Sequence, residues 1–187
     1  MWGNVRLLPV VPDLAPLAFV QTGRAGVTDA LLCQFVEELV GRGVRVCGSV
    51  QRNPLRAGAE RCDMIVTAHP SGKEFKISED RGPGAKGCRL DAGALELAVA
   101  DVEAALGRGA DIVVINKFGK HEAEGRGFCQ VIGHALAADM PVLVAVNAPH
   151  REAFQTFSDG HALEIAPDLD ALMGWAAQLV PAGSGAA

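Results

Sequence analysis

Short apolar runs alternate with helical patterns of apolar residues along the chain. Leu17 to Gln21 is apolar and is followed by glycine, which is typical of a buried parallel strand. From Thr28 to Arg42 apolar residues recur at helical spacing, and Val44 to Val50 is a second apolar run. The pattern therefore predicts a strand, a helix and a second strand, joined in the parallel, right-handed arrangement.

The second half of the chain repeats this alternation. A helix is predicted from Ala92 to Gly107 with Asp91 as its cap, followed by buried strands from Asp111 to Asn116 and from Pro141 to Asn147. The remaining predicted elements are helices at 128–138, 151–157 and 168–179 and a short strand at 162–165. Together they predict a three-layer α/β fold on a parallel sheet.

One segment interrupts the alternation. Cys62 to Ala68 and Lys73 to Ser78 are both strand-like, and the residues between them, His69-Pro70-Ser71-Gly72, form a plausible turn sequence. A β-hairpin insertion is predicted here. The length of 187 residues suits one well-filled domain, so we predict a single domain over 1–180 and a flexible, small-residue tail over 181–187.

Charge and cysteine usage narrow the class of protein. The formal net charge is −5 and no run of Lys and Arg is present, which argues against nucleic-acid binding. The five cysteines are scattered and include no C-x-x-C pair, as expected for reduced thiols. The first residues lack a signal-peptide pattern, and no apolar run approaches about 20 residues. We expect a cytoplasmic protein without membrane insertion, and a homo-oligomer is left open.

The loop after the first predicted strand has the layout of a phosphate-binding loop. Such a loop reads G-x-x-x-x-G-K-[ST], and its Lys and hydroxyl contact phosphate and Mg²⁺. Counting from Gly23, the second Gly falls on Thr28, the Lys on Asp29 and the Ser/Thr on Ala30. An acidic residue at a helix N-terminus stabilises the helix but repels an anion. Two interpretations stay open: an anion site, or a tight turn with Thr28 or Asp29 as N-cap.

Further glycine-rich or charged segments lie beside predicted strand ends and helix starts. The run Gly82 to Gly87, flanked by Arg81 and Arg89, precedes a helix and can present backbone N–H groups to an anion; a solvated surface loop is the alternative. Lys117 to Gly127 and Asn147 to His150 follow the buried strands. Because ligands bind beyond the carboxyl ends of strands in open α/β sheets, we expect these segments to meet in one cleft.

Two other kinds of site receive little support. The spacing of His121, Glu122 and Glu124 does not match a helix-borne pair such as H-E-x-x-H, so a solvated loop is favoured there and no metal site is predicted. Cys88 lies between Gly87 and Arg89, where neighbouring cations could lower its thiol pKa. Without an identified His partner, nucleophilic catalysis by Cys88 is a minor hypothesis.

Particular motifs carry a family resemblance. The segment Thr22 to Leu31, the turn at Ser71-Gly72 and the segment Ile115 to Gly119 resemble the small P-loop nucleoside-triphosphatases known from thermophiles and the related cancer-associated human enzyme. The resemblance covers roughly Phe19 to Phe154. More closely, residues 82–91 and 116–125 together resemble an uncharacterised bacterial family of NTPase-like proteins that is often associated with molybdate-transport genes. The resemblance implies a P-loop-type fold.

The departures from the nucleoside-triphosphatase pattern reverse both charges. Asp29 stands where that family has the loop Lys, and Asn116-Lys117 stands where it has the Walker-B Asp-Glu. Phosphoryl transfer depends on positioning and electrostatic stabilisation, so this degenerate Walker motif should lose most catalytic assistance. Lys117 could compensate for part of this loss by lying across the cleft from Asp29, either as a salt bridge or as a relocated phosphate ligand.

The favoured function is binding with little or no hydrolysis. The predicted ligand is a small anion, either a nucleotide, with Mg²⁺ as the implied cofactor, or another oxyanion such as molybdate. The predicted ligand-binding residues are Gly23, Arg24, Ala25, Gly26, Val27, Thr28, Asp29, Lys86, Gly87, Arg89, Lys117, Gly119 and Lys120.

Two alternative functions are kept. In a divergent nucleoside-triphosphatase, Lys117 or Lys120 would replace the missing loop Lys, and Glu122 or Glu124 would handle Mg²⁺ or water, which makes Lys117, Glu122 and Glu124 the catalytic candidates. In a scaffold or accessory protein of molybdenum homeostasis, the fold would serve for docking to a metal-cofactor assembly.

Overall fold

The computed structural model describes residues 15–22, 26–55, 62–79 and 89–180, and it forms an α/β sandwich around one sheet. Its strands are β1 (Leu17–Val20), β2 (Val46–Arg52), β3 (Ile65–His69), β4 (Glu74–Lys76), β5 (Ile112–Phe118), β6 (Val142–Val146) and β7 (Leu163–Glu164). Its helices are α1 (Val27–Gly41), α2 (Ala92–Leu106), α3 (Lys120–Ala123), α4 (Cys129–Ala137), α5 (Arg151–Phe157) and α6 (Leu169–Leu179), with a 3₁₀ turn at Ala148–His150.

The seven strands form one mixed sheet in the order β4-β3-β2-β5-β6-β1-β7. Five adjacent strands are parallel to one another, namely β2, β5, β6, β1 and β7. Strand β3 is antiparallel to both of its neighbours, β2 and β4. The predicted fold class is thereby confirmed, including the β-hairpin insertion, which is the pair β3 and β4. Because β3 pairs with β2, the hairpin extends the sheet at its edge.

Two apolar layers cover the two faces of the sheet. Alternate residues of the central strands point to opposite faces, so Val113 and Ile115 join one core cluster while Ile112 and Val114 join the other. The first cluster includes side chains of α2 and α4, and the second includes side chains of α1 and α6. This is the three-layer arrangement that continuous apolar strands predict.

Gly48 permits the close approach of β2 to β5. Its φ is +129°, and a Cβ atom there would lie 1.9 Å from the carbonyl oxygen of Val114. No side chain fits at that distance, so glycine is required for the pairing that brings the ends of these two strands together.

Two local predictions were wrong. The N-cap of α1 is Gly26, in the left-handed conformation with φ of 79°, and not Thr28 or Asp29. Strand β5 continues through Lys117 to Phe118, and the expected loop after it contains the short helix α3. The side chains of Thr28 and Asp29 bond Thr22 and Asn116 and do not cap the helix. Strand β5 is longer because Phe118 still pairs with Val146 of β6.

Candidate functional site

A cleft of about 950 Å³ opens at the carboxyl ends of four parallel strands. The residues that follow these strands all line it: Thr22 after β1, Asn53 after β2, Gly119 after β5 and Asn147 after β6. This is the edge at which open α/β sheets bind ligands. The expected convergence of strand-end segments therefore occurs among the described residues.

The buried carboxylate of Asp29 is the centre of the polar part of the cleft. Its Oδ1 accepts hydrogen bonds from Asn116 Nδ2 at 3.0 Å and from Lys117 Nζ at 3.3 Å. Its Oδ2 accepts from Asn53 Nδ2 at 2.5 Å, and Gln51 Nε2 donates to Asn53 Oδ1 at 2.7 Å. Three donors thus compensate a carboxylate that is only 5% exposed.

A bulge in β5 brings two consecutive residues to this carboxylate. Asn116 pairs with Ala145 of β6 and Phe118 pairs with Val146, so Lys117 is an extra residue in β5. In a regular strand, neighbouring side chains point to opposite faces of the sheet, and a bulge can redirect one of them. The side chains of Asn116 and Lys117 can therefore both reach Asp29.

The orientation of the Asn116 amide follows from the same contact. A carboxylate can only accept, so Nδ2 faces Asp29 and Oδ1 faces away from it. This Oδ1 is buried and has no hydrogen-bond partner among the described residues. Asn116 thus holds an acceptor whose burial would be compensated by a donor from a ligand or from water.

The first turn of α1 borders the cleft beside Asp29. Gly26 and Thr28 line the cleft, and the hydroxyl oxygens of Thr22 and Thr28 are 2.7 Å apart in a hydrogen bond that joins the end of β1 to the start of α1. The partial positive charge of the helix N-terminus favours the Asp29 carboxylate. The same charge would favour the anion that the phosphate-loop layout predicts.

Glu122 is buried, which contradicts the expectation of a solvated loop. Its Oε2 accepts the backbone N–H of Gly119 at 3.0 Å, and its Oε1 accepts that of Phe128 at 3.4 Å. Burial raises the pKa of the Glu122 carboxyl, and the hydrogen bonds from the backbone oppose that rise only in part. The carboxylate closes the segment from Gly119 to Phe128 into a compact turn.

His121 is buried in the same turn. Its Nε2 lies 3.0 Å from Oε1 of Glu96 on α2, and that oxygen also accepts the backbone N–H of Gly127 at 3.3 Å. The pair fixes the position of α3 against α2. Glu96 was not predicted as part of this region, because nothing in the helical pattern of α2 distinguishes it from a solvent-facing residue.

Glu124 and Lys120 lie at the outside of the turn. Glu124 is exposed, forms an ion pair with Arg126 and lies 3.9 Å from Lys120 Nζ. The hydrogen bond from Arg126 lowers the pKa of the Glu124 carboxyl. Lys120 lines the cleft, whereas Glu124 is not among the described residues that line it.

The structure brings together part of the predicted ligand-binding set. Seven of those residues line the cleft: Gly26, Thr28, Asp29, Arg89, Lys117, Gly119 and Lys120. Val27 begins α1 but is largely exposed and is not among the residues lining the cleft. Gly23, Arg24, Ala25, Lys86, Gly87 and Cys88 lie outside the described residues.

Arg89 is held at the hairpin side of the cleft. Its guanidinium donates to the carbonyl oxygens of Glu79 at 3.2 Å and of Cys62 at 3.3 Å. Gln51 and Asn53 are not among the predicted site residues, because the apolar run that predicts the second strand ends at Val50 whereas β2 continues to Arg52. Over the ranges that the structure covers, no three His, Cys, Asp or Glu side chains are grouped as a metal site.

Apolar side chains also line the cleft. Among them are Met64, Val66, Ile77, Leu90, Leu95 and Phe128. They come from the hairpin region, the start of α2 and the residue before α4. The cleft therefore presents both hydrogen-bonding groups and apolar surface.

Known proteins share this fold. The solution structure of a human cancer-related nucleoside triphosphatase superposes with a TM-score of 0.55 at 22% identity, covering 79% of this chain and 86% of that one. The crystal structure of THEP1 from Aquifex aeolicus gives 0.59 at 12% identity, covering 81% and 89%. Within the described part of the chain, no helix is long and apolar enough to cross a membrane.

Two curated proteins are similar to this chain in sequence. "Molybdenum import ATP-binding protein ModC 2" of Bradyrhizobium diazoefficiens is 36% identical over 147 residues, which is 79% of this chain but 16% of that protein. "Nucleoside-triphosphatase THEP1" of Thermococcus kodakarensis is 28% identical over 149 residues, 76% of this chain and 82% of that protein. Residues 17–175 match the family described as "Protein of unknown function (DUF2478)". The chain therefore belongs to the DUF2478 family and is homologous to THEP1-type P-loop nucleoside triphosphatases and to a segment of a ModC protein.

Proposed function

We propose that the cleft binds a nucleotide or another oxyanion and that the protein hydrolyses it little or not at all. The observation that supports this most directly is the contact between Asp29 and Lys117. It lies between the start of α1 and the end of β5, the two places from which a P-loop enzyme supplies its phosphate-binding Lys and its metal-organising carboxylates.

The charges at these two places disfavour phosphoryl transfer. Asp29 puts a carboxylate where a transferring phosphoryl group needs a cation, and Asn116 and Lys117 put an amide and an ammonium where Mg²⁺ needs carboxylates. Because the chemistry depends on electrostatic stabilisation, a reversal of both signs should remove most of the rate enhancement.

Binding is supported by the donors and the size of the cleft. Lys117 lines the cleft, and its side chain is 26% exposed while its ammonium contacts Asp29. Lys120 and Asn147 add further donors at the same edge. The volume of about 950 Å³ lies within the range of roughly 300–1,000 Å³ that small-molecule sites occupy.

The divergent nucleoside-triphosphatase receives less support from the geometry. Both oxygens of the Glu122 carboxylate accept backbone N–H groups, and Glu124 faces Arg126 at the outside of the turn. Neither carboxylate is thereby disposed to hold Mg²⁺ against a phosphate near Lys117.

Molybdate is a specific candidate for the oxyanion. The relative named as a molybdenum import ATP-binding protein motivates it, although this chain corresponds to only 16% of that protein. Lys side chains and backbone N–H groups suit a tetrahedral oxyanion of any central atom. An accessory role in molybdenum homeostasis would follow if molybdate were bound selectively.

A ligand panel tests the proposal. Thermal unfolding and calorimetry would compare ATP, GTP and ADP, each with and without Mg²⁺, with phosphate, sulfate, molybdate and tungstate. A ligand at a hundredfold excess over its Kd should stabilise the protein by about 2.7 kcal/mol. Lys117→Ala should weaken binding, whereas Lys73→Ala, which removes an ion pair outside the cleft, should not.

Two outcomes would contradict the proposal. If no anion in the panel shifts the unfolding transition, the cleft is not an anion site and the scaffold alternative gains support. If Mg²⁺-dependent phosphate release is rapid and is lost in Glu122→Gln or Glu124→Gln, the divergent nucleoside-triphosphatase is the better description.

A further inference from the structure

Three donors hold the Asp29 carboxylate, and they differ in how freely each can leave it. Asn116 Nδ2 belongs to a strand residue that is only 1% exposed. Asn53 Nδ2 comes from the residue that follows β2. Lys117 Nζ makes the longest of the three contacts, at 3.3 Å, and lies at the end of a flexible four-carbon stem. Lys117 is therefore the donor that can move with the least change elsewhere.

The orientation of the Asn53 amide is fixed by Gln51. A carboxylate only accepts hydrogen bonds, so Nδ2 of Asn53 faces Asp29 and Oδ1 faces away from it. That Oδ1 accepts Nε2 of Gln51 at 2.7 Å, and Gln51 is only 4% exposed. Gln51 thus orients Asn53, and Asn53 donates to Asp29 without any contribution from Lys117.

The two amides together keep the buried carboxylate hydrogen-bonded when Lys117 is elsewhere. Asn116 donates to Oδ1 and Asn53 donates to Oδ2, so each oxygen retains one donor. A buried charge is costly when its hydrogen bonds are lost. Without the Asn53 amide, departure of Lys117 would leave Asn116 as the last of the three donors described here.

A bound anion gives Lys117 a second possible partner. The Asp29 carboxylate repels an anion in the same cleft, and this repulsion decreases as the two negative groups separate. Lys117 lines the cleft and its side chain is 26% exposed, so its ammonium can turn from the buried carboxylate toward the open space. Such a move replaces one ion pair by another and places the cation between the two negative groups.

We infer that Lys117 leaves Asp29 for the anion when an anion binds, and that Asn53, oriented by Gln51, is the positioning residue that holds the Asp29 carboxylate during this exchange. The inference rests on the proposed anion-binding function. It gives a role in affinity to two residues at the end of β2, neither of which needs to contact the anion.

Calorimetry on the intact chain with ATP, inorganic phosphate and molybdate tests this role. Asn53→Ala should raise the Kd of each probe that the unmodified protein binds by about tenfold, because departure of Lys117 then leaves the carboxylate with Asn116 alone. Gln51→Met removes the group that orients Asn53 and should act in the same direction, which provides a second variant if the first folds poorly. Gln178→Ala is the matched control, since it removes an amide of α6 that is not among the residues lining the cleft, and it should leave Kd unchanged.

The Asp29→Asn background separates positioning from direct contact. Without the carboxylate, Lys117 has no buried charge to leave, so adding Asn53→Ala should then change Kd by less than about twofold. If Asn53 contacted the anion itself, its removal would weaken binding to about the same extent in both backgrounds. The comparison therefore measures the coupling between Asp29 and Asn53 in anion binding.

The outcomes distinguish the inference from the proposal on which it rests. If the unmodified protein binds none of the three probes, the proposed function fails and the inference fails with it. If a probe binds and Asn53→Ala leaves its Kd unchanged, or if the loss persists in Asp29→Asn, the inference is overturned while anion binding stands. A loss in Asn53→Ala and in Gln51→Met that disappears in Asp29→Asn supports the exchange.

Discussion

Lys117 donates to the carboxylate of Asp29 across the cleft, with 3.3 Å between Nζ and Oδ1. The two residues are 88 positions apart in the chain and come from β5 and α1. In a P-loop enzyme the corresponding places carry charges of the opposite sign. The chain therefore keeps an attraction between these two elements while exchanging which of them is the acid.

Replacing Lys117 by Met should destabilise the fold, because the buried Asp29 carboxylate would lose its charged donor. Asn53 and Asn116 still donate to it, so we expect a loss of about 2 kcal/mol rather than unfolding. Urea denaturation at neutral pH measures the change, and the double variant with Asp29→Asn should recover much of it. A cycle without coupling between the two positions would show that the contact contributes nothing.

Replacing Asp29 by Asn should increase the affinity of the cleft for oxyanions. The substitution removes a negative charge beside the anion and releases Lys117 from its partner, so we expect about tenfold tighter binding, decreasing as salt is added. Asp101→Asn serves as control, because Asp101 pairs with Lys73 outside the cleft. A lower affinity in Asp29→Asn would mean that the carboxylate positions Lys117 for the ligand instead of competing with it.

Ionisation of Glu122 should reduce the free energy of unfolding as pH rises. Burial raises the pKa of its carboxyl above the ordinary value of 4.5, so the folded protein retains a proton that the unfolded chain has released. The stabilisation is complete below pH 4.5 and is lost as pH rises through the higher folded pKa. In urea titrations from pH 4 to 8, the free energy of unfolding of Glu122→Gln should therefore increase relative to that of the unmodified protein as pH rises.

Glu164 offers a control with the opposite sign. Hydrogen bonds from Arg151 lower the pKa of its carboxyl, so its contribution is present above the ordinary value of 4.5 and is lost as pH falls. The free energy of unfolding of Glu164→Gln should therefore decrease relative to that of the unmodified protein as pH rises. If both variants show the same slope, the pH dependence arises elsewhere in the molecule.

Several elements show how much of the fold the spacing of apolar residues predicts. The helix expected at 151–157 is α5. The helix expected at 92–107 is α2 and the strand expected at 111–116 is β5, each within two residues of its predicted bounds. β5 is buried along most of its length and α2 buries one apolar face, so the local pattern and the tertiary packing favour the same structure. The hairpin of β3 and β4 was also predicted, but its first strand begins at Ile65 and not at Cys62, and its second strand ends at Lys76 and not at Ser78.

The polar part of the site depends on pairing that the local pattern does not contain. Gln51 and Arg52 extend β2 although both are polar, because they pair with Val66 and Ile65 of β3. That extension brings Asn53 to Asp29. The bulge at Lys117 is likewise defined by the register between β5 and β6. The buried carboxylate of Glu122 accepts the N–H of Phe128, which follows it by six residues. Such contacts require the assembled sheet.

Gly48→Ala should be among the most destabilising single substitutions in the chain. The added Cβ atom would lie 1.9 Å from the carbonyl oxygen of Val114, and the φ of +129° is one that alanine rarely adopts. Because β2 and β5 are central strands, the backbone must shift where the two pair, and we expect a loss of at least about 4 kcal/mol. Gly133→Ala is the matched control: Gly133 lies in α4 with no atom within 4 Å of the added Cβ, so the helix should gain about 0.5–1 kcal/mol. Thermal and urea unfolding of the two variants measure the difference, and a mild effect of Gly48→Ala would mean that β2 and β5 can separate at this point without losing the sheet.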